Sequence, residues 1–144
     1  MAKKETWKKK RRKILVSLEQ IAKLNQRLKA HEIALNRSAL VSISDLTGEI
    51  IYVNDKLCEV SQYRREELLG QNHRMLSSGH HPSSYFAQLW GTVSAGKVWR
   101  GEILNQGKNG LLYWADTVIA PILDHQGRSY QYYTIGFDIS ERKK

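Results

Sequence analysis

Apolar residues follow two different periods along this chain, and the change between them divides it. Residues 7–36 contain no Gly or Pro and are dominated by strong helix formers, with Ile14, Ile21, Leu28 and Leu35 recurring every seven residues and Leu18 and Leu24 beside them. This spacing predicts one long helix with a single apolar face. Two covers suit that face: a second copy in a parallel dimer, with Asn25 as a polar position able to fix the register, or the chain's own domain.

After Ser38 the period becomes two. Residues 40–45 read as a strand, Thr47-Gly48 as a turn and residues 49–53 as the hairpin partner. Asn54-Asp55 caps a short helix reaching Tyr63, and residues 64–70 form a second helical turn closed by Gly70. Residues 71–78 are polar and read as irregular. Pro82 opens a helix with Tyr85, Phe86, Leu89, Trp90 and Val93 at helical spacing, and Gly96 ends it. Residues 98–106 and 111–123 then flank Asn109-Gly110, a dipeptide suited to a two-residue hairpin turn. A turn at residues 124–127 leads to a last strand over 129–139. Two strands, a group of short helices and three more strands predict an α+β domain: a five-stranded antiparallel sheet with helices on one face, preceded by the long amphipathic helix. The boundary is placed between residues 37 and 38, giving a basic arm and dimerisation helix (1–37) and a globular domain (38–144).

Composition sharpens this picture in three places. At 144 residues, with 41% apolar and 9% aromatic content, the chain has material for one core. The net charge of +9 is concentrated at the start, where residues 1–13 carry eight Lys/Arg against Glu5 alone. The globular part is nearly neutral, so a nucleic-acid partner is not expected; the arm reads as a solvated tail, with contact to an anionic membrane surface as the lesser alternative. Cys58 is the single cysteine, which excludes an internal disulfide, and neither a membrane span nor a secretory signal is legible, so a cytoplasmic location is expected.

The order of elements, together with Asp45-x-x-Gly48-x-Ile50-x-Tyr52-Val53-Asn54, Tyr63-x-x-Glu66-Glu67-Leu68-x-Gly70 and the ending Asp138-Ile139-Ser140-Glu141-Arg142, resembles the PAS family of sensory domains from about Ser38 to Arg142. A narrower set, Leu76-Ser77-Ser78-Gly79-x-x-Pro82, Leu89-Trp90-Gly91, Val98-Trp99-x-Gly101-x-x-x-Asn105 and the strand from Tyr113 to Pro121, is similar to FAD-binding redox- and oxygen-sensing PAS domains of the nitrogen-fixation-regulator and aerotaxis-receptor type. That resemblance implies a noncovalent FAD whose ring lies between helices and sheet, with Asn105 bonding its polar edge, Trp90 and Trp99 supplying apolar cover, and Ser42 and His73 at the same site. An amide that both donates and accepts suits a ring edge carrying carbonyl groups and an N–H. Without the resemblance, both tryptophans read as core residues, Asn105 as a strand-edge bond and His73 as a solvent-facing loop histidine.

Departures from the family pattern carry information too. Asn72-His73-Arg74 stands where light-sensing LOV relatives carry their reactive cysteine, so a thiol adduct is not expected there. Gly136 replaces the glutamine of many LOV domains. His80 and His81 raise the alternative of a haem-binding PAS domain, and a cofactor-free dimerisation and relay module is the other. No P-loop, metal-ligand cluster or nucleophile elbow is legible, so the chain is not expected to be an enzyme. The expected role is a sensor relaying redox or oxygen state to an output domain of kinase, cyclase or chemotaxis type, through helix and sheet rearrangement in a homodimer.

Overall fold

The structure, a computed structural model, describes residues 5–143; Lys3 and Lys4 of the basic arm and the terminal Lys144 lie outside the described residues. It contains two compact units, one running to Ala34 and the other starting at Leu35.

The first unit is the body of α1 (Trp7–Ser38). Thr6 caps it, its Oγ1 accepting from Lys9 N–H at 3.3 Å. None of the helix is buried, and Ile14, Leu18, Ile21, Leu24 and Leu28 are 52–57% exposed.

The second unit is the α+β domain. Its strands β1 (Leu40–Asp45), β2 (Ile50–Val53), β3 (Trp99–Gln106), β4 (Leu112–Leu123) and β5 (Ser129–Asp138) form one antiparallel sheet in the order β2-β1-β5-β4-β3. The first and last strands therefore meet at the centre, with Ser42 opposite Thr134 and Leu40 opposite Gly136. Between β2 and β3 the chain forms α2 (Asp55–Ser61), α3 (Arg65–Leu68), a 3₁₀ turn (His73–Leu76) and α4 (Ser83–Ser94). The 3₁₀ turn replaces the irregular stretch expected there, because Asn72 caps it by accepting from Arg74 N–H at 3.0 Å.

Asn54 does more than cap α2. Buried to 1% exposure, its Oδ1 accepts from Leu57 N–H at 3.0 Å and Val41 N–H at 3.1 Å, while its amide donates to the Ala39 carbonyl at 2.9 Å. One side chain thus fastens the first helix of the domain to the start of its central strand. At the other end of the helical stretch, Gly96 at φ +81° closes α4, with Gly96 N–H on the Val93 carbonyl and Lys97 N–H on the Thr92 carbonyl.

The β3–β4 turn is not the two-residue turn that Asn109-Gly110 predicts. Gly107 N–H donates to the Leu111 carbonyl and Gly110 N–H to the Gly107 carbonyl, so Lys108, Asn109 and Gly110 form a three-residue loop with the positive φ (+83°) at Gly110 alone. Its tip is held down from outside: Lys108 N–H reaches the Ser61 carbonyl at 2.8 Å, and a Cβ on Gly107 would stand 2.7 Å from that same oxygen. A two-residue turn would leave no Lys108 amide free for this contact.

The inner face of the sheet is covered in two apolar groups rather than one. Leu40, Ile50, Val53, Leu57, Leu68, Leu76, Tyr113 and Ala115 form the first, and Leu89, Val93, Trp99, Ile103, Ile119 and Tyr132 the second. The site lies where these two groups fail to close.

Candidate functional site

Alternation along the inner strands determines what faces the gap. Ile103 and Asn105 on β3, Tyr113, Ala115, Thr117 and Ile119 on β4, Thr134 and Gly136 on β5, and Leu40 and Ser42 on β1 all face the helices. Above them stand Leu57, His73, Leu76, Leu89 and Trp90. They enclose a gap of about 610 Å³ with its open mouth included. That is room for several waters in a core that would otherwise pack solid. Small residues make the space: a Cβ on Gly136 would meet the Ala115 Cβ at 3.4 Å and Thr117 Oγ1 at 3.7 Å.

The floor mixes apolar residues with the polar Ser42, Asn105, Tyr113, Thr117 and Thr134, and the roof is mainly apolar. Four of the five residues singled out in the sequence, Ser42, His73, Trp90 and Asn105, line this one cavity. Asn105 pairs with Tyr113 in the sheet and with Ser77 across the edge of β3 through backbone groups, and its side-chain amide has no hydrogen-bond partner among the described residues. Its two donors and its acceptor are thus free. At the opposite side Ser42 Oγ, 2% exposed, and His73 Nε2 share a hydrogen bond of 2.8 Å. Burial pushes the His73 pKa below the ordinary histidine value, so the imidazole is neutral at pH 7.

Trp99 is the fifth, and it does not line the cavity. Its ring lies in the second core group, with Nε1–H donating to Gln88 Oε1 at 2.7 Å and Tyr85 edge-on at 5.6 Å. It turns back over Gly101, where a Cβ would stand 2.5 Å from the ring. The Trp-x-Gly spacing is therefore a packing device here. Neither His80 nor His81 lines the cavity; His81 Nε2 accepts from Leu104 N–H at 2.9 Å on the edge of β3.

Sequence reasoning missed Thr117 and Thr134, which put hydroxyls on the cavity floor, and the roles of Ala115 and Gly136 as space. The strand period held the signal: once Asn105 faces inward, its register with Tyr113 fixes Ala115 and Thr117 on the same face. Glu102 and Asp116 are direct register partners, but Lys143 binds the first at 2.5 Å and Arg100 the second at 3.1 Å, so they are two surface ion pairs.

His73 and Trp90 also form the wall shared with a second, wider cleft. This one spans about 1150 Å³ with its open side included, and Gly48, Asn72, Arg74, Ser77, Phe86 and Tyr132 border it. No group of three or more His, Cys, Asp or Glu side chains with metal-binding arrangement occurs among the described residues, and no helix among them is long and apolar enough to cross a membrane.

Comparison with known proteins agrees with this architecture. A family model for the PAS domain matches residues 37–141. The chain is 36% identical over 103 residues to a nitrogen fixation regulatory protein of Klebsiella oxytoca, covering 72% of this chain and 21% of that protein. It is 35% identical over 98 residues to an aerotaxis receptor of Escherichia coli, covering 68% and 19%. The chain thus spans about a fifth of the length of these curated relatives. The solved PAS domain of a Colwellia psychrerythraea protein matches with a TM-score of 0.72 at 26% identity, over 83% of this chain and 98% of that one.

Proposed function

The chain belongs to the PAS family, and we propose that it is a redox- or oxygen-sensing module that binds FAD noncovalently in the cavity between its two core groups. The observation that carries this reading is the unpartnered Asn105 amide, a polar group on the floor of a mostly apolar gap. A flat ring with one polar edge fits such a gap, and the ring of a flavin has carbonyl oxygens and an N–H on that edge. FAD supplies reversible electron transfer coupled to proton uptake.

The chain's own residues have distinct tasks. Asn105 donates to and accepts from the ring edge, which orients it; Trp90 covers it and keeps water out. His73, neutral and bonded to Ser42, holds an exchangeable proton at the wall between the cavity and the wider cleft. The Ser42 hydroxyl keeps that imidazole in place. Arg74 gives the wider cleft a cation for the phosphates, which favours the dinucleotide over a shorter flavin.

A change in hydrogen bonding at Asn105 or His73 is felt in β3 and β1, and β1 continues directly from α1. The relay therefore runs through the sheet to the N-terminal helix, where the stripe from Ile14 to Leu28 joins two copies as a parallel coiled coil. In the longer protein such a dimer serves an output domain of kinase, cyclase or chemotaxis type.

Purification followed by heat release and mass measurement of any bound cofactor tests the assignment. FAD in near-equimolar amount is expected. A colourless protein that takes up no flavin when it is offered supports a cofactor-free dimerisation module instead.

A further inference from the structure

The outer strand β3 has β4 as its strand neighbour on one side; its other edge is finished by the segment leading into α4. Ser77 bridges to Asn105, Ser78 Oγ donates to the Leu104 carbonyl at 2.6 Å, and Tyr85 Oη donates to the Glu102 carbonyl at 2.6 Å. Between them, Leu104 N–H donates to His81 Nε2 at 2.9 Å. These bonds occupy backbone groups that an edge strand would otherwise present to water or to another chain.

They differ in what can break them. The two hydroxyls donate at any ordinary pH. His81 accepts, and it can do so only while Nε2 carries no proton. Its ring is well fixed for this, stacked on Tyr85 at 4.5 Å and 13° and edge-on to Phe86 and Trp114, both at 5.9 Å.

We propose that neutral His81 is the clasp that sets the position of Asn105, and that a proton on His81 Nε2 opens it, placing the cavity under pH control through β3. A protonated Nε2 would present a donor to the Leu104 donor at 2.9 Å, so the bond becomes a repulsion one residue from Asn105. The ionisable groups that face the ring are His80 at 4.9 Å on its own segment and Tyr85 on α4; Glu102 on β3 is engaged by Lys143, which lies 5.0 Å from the Trp114 ring. Burial first, and then the charge of His80, push the His81 pKa below the ordinary value. The clasp is closed at neutral pH and opens in acid. Trp114, which the His81 ring meets edge-on, also carries Lys143 of the last turn, Ser140–Lys143, over its ring.

The link to Asn105 rests on the flavin reading only for the identity of the ligand, so the test needs no flavin. Amide hydrogen exchange and NMR titration of the whole chain follow the Leu104 amide, the His81 ring and the Asn105 side-chain amide. Between about pH 7.5 and about pH 5, the Leu104 protection factor should fall about tenfold or more, with the same midpoint as the His81 ring, and the Asn105 amide signals should move with it. His81→Phe keeps the stack but has no acceptor, so protection should be low at both pH values. His81→Gln restores a non-titrating acceptor, so protection should stay high at both. Leu104 protection that ignores pH, or that survives in folded His81→Phe, overturns the clasp. Asn105 signals that stay fixed while Leu104 responds overturn its positioning role. If the clasp titrates as expected in a protein that binds no FAD, the flavin assignment fails and the clasp stands.

Discussion

The N-terminal helix and the sheet domain both leave something unpaired, and they leave it in opposite places. On α1 the unpaired surface is apolar and outward: five residues of one stripe, each more than half exposed. The domain also exposes scattered apolar side chains such as Val98 and Leu111, but it gathers a core inward and leaves polar groups unpaired inside it, the Asn105 amide and the buried Tyr113 hydroxyl. An exposed apolar stripe is satisfied by a macromolecule that buries it. An internal polar edge is satisfied by a small molecule that enters. The two regions therefore point to two partners of different kind, and they can be perturbed separately.

The largest separation should come from the stripe. Each buried side chain of this type contributes roughly 1.5–3 kcal/mol, and placing Glu at both Ile21 and Leu28 removes four of them per dimer. The dimer dissociation constant should rise by more than about a thousandfold, with every 1.4 kcal/mol counting about tenfold. Light scattering at micromolar concentration should show monomers of the variant and dimers of the parent chain. A monomeric parent chain contradicts the coiled coil, and a variant that stays dimeric moves the interface to the domain.

The converse perturbation is Asn54→Ala. It strands two backbone N–H groups and one carbonyl in a buried site, at about 1–3 kcal/mol each and less than additively, so the domain should lose about 3–5 kcal/mol in denaturant unfolding. Dimerisation through α1 should be unaffected. Loss of both together would show that the two regions are not separable.

Within the cavity, Asn105→Ala should weaken flavin binding by about 5- to 150-fold, the equivalent of the 1–3 kcal/mol for leaving a buried polar edge unpaired. Titration of the released protein with FAD measures it. Unchanged affinity removes Asn105 from the site.

A smaller effect is expected at His73. Its pKa is lowered in the folded chain, so as pH falls through the ordinary histidine value near 6.5 the unfolded chain takes up the proton first. Stability contributed by the neutral ring is fully present above that value and falls as the pH drops toward the lower folded pKa, at no more than about 1.4 kcal/mol per pH unit for one proton. His73→Gln should flatten this part of the stability profile in urea unfolding. An unchanged profile assigns the dependence to another group.

Much of the architecture is legible in the order of residues alone. The two periods mark α1 and the strands nearly to the residue, because the sheet is covered on one face and alternation survives there. The three-residue loop at Lys108–Gly110 is not legible, since the contact that selects it comes from the Ser61 carbonyl, 47 residues away along the chain. Trp99 departs from its expected place for a similar reason. Sequence shows that Trp99 and Gly101 belong together, but not that the ring folds back over the glycine instead of facing the gap. Ser42 and His73 stand 31 positions apart, so no spacing rule joins them; β1 and the 3₁₀ turn do. Residues that make a cavity by being small, Ala115 and Gly136, are silent in a search for chemistry.

The central claim is that the gap between the two core groups holds a redox-active flavin. Recording the visible spectrum of the purified chain, before and after anaerobic dithionite and again after air, tests it most directly. A yellow protein that bleaches on reduction and regains its colour in air is the predicted result, and a colourless protein that remains so after incubation with FAD would contradict it.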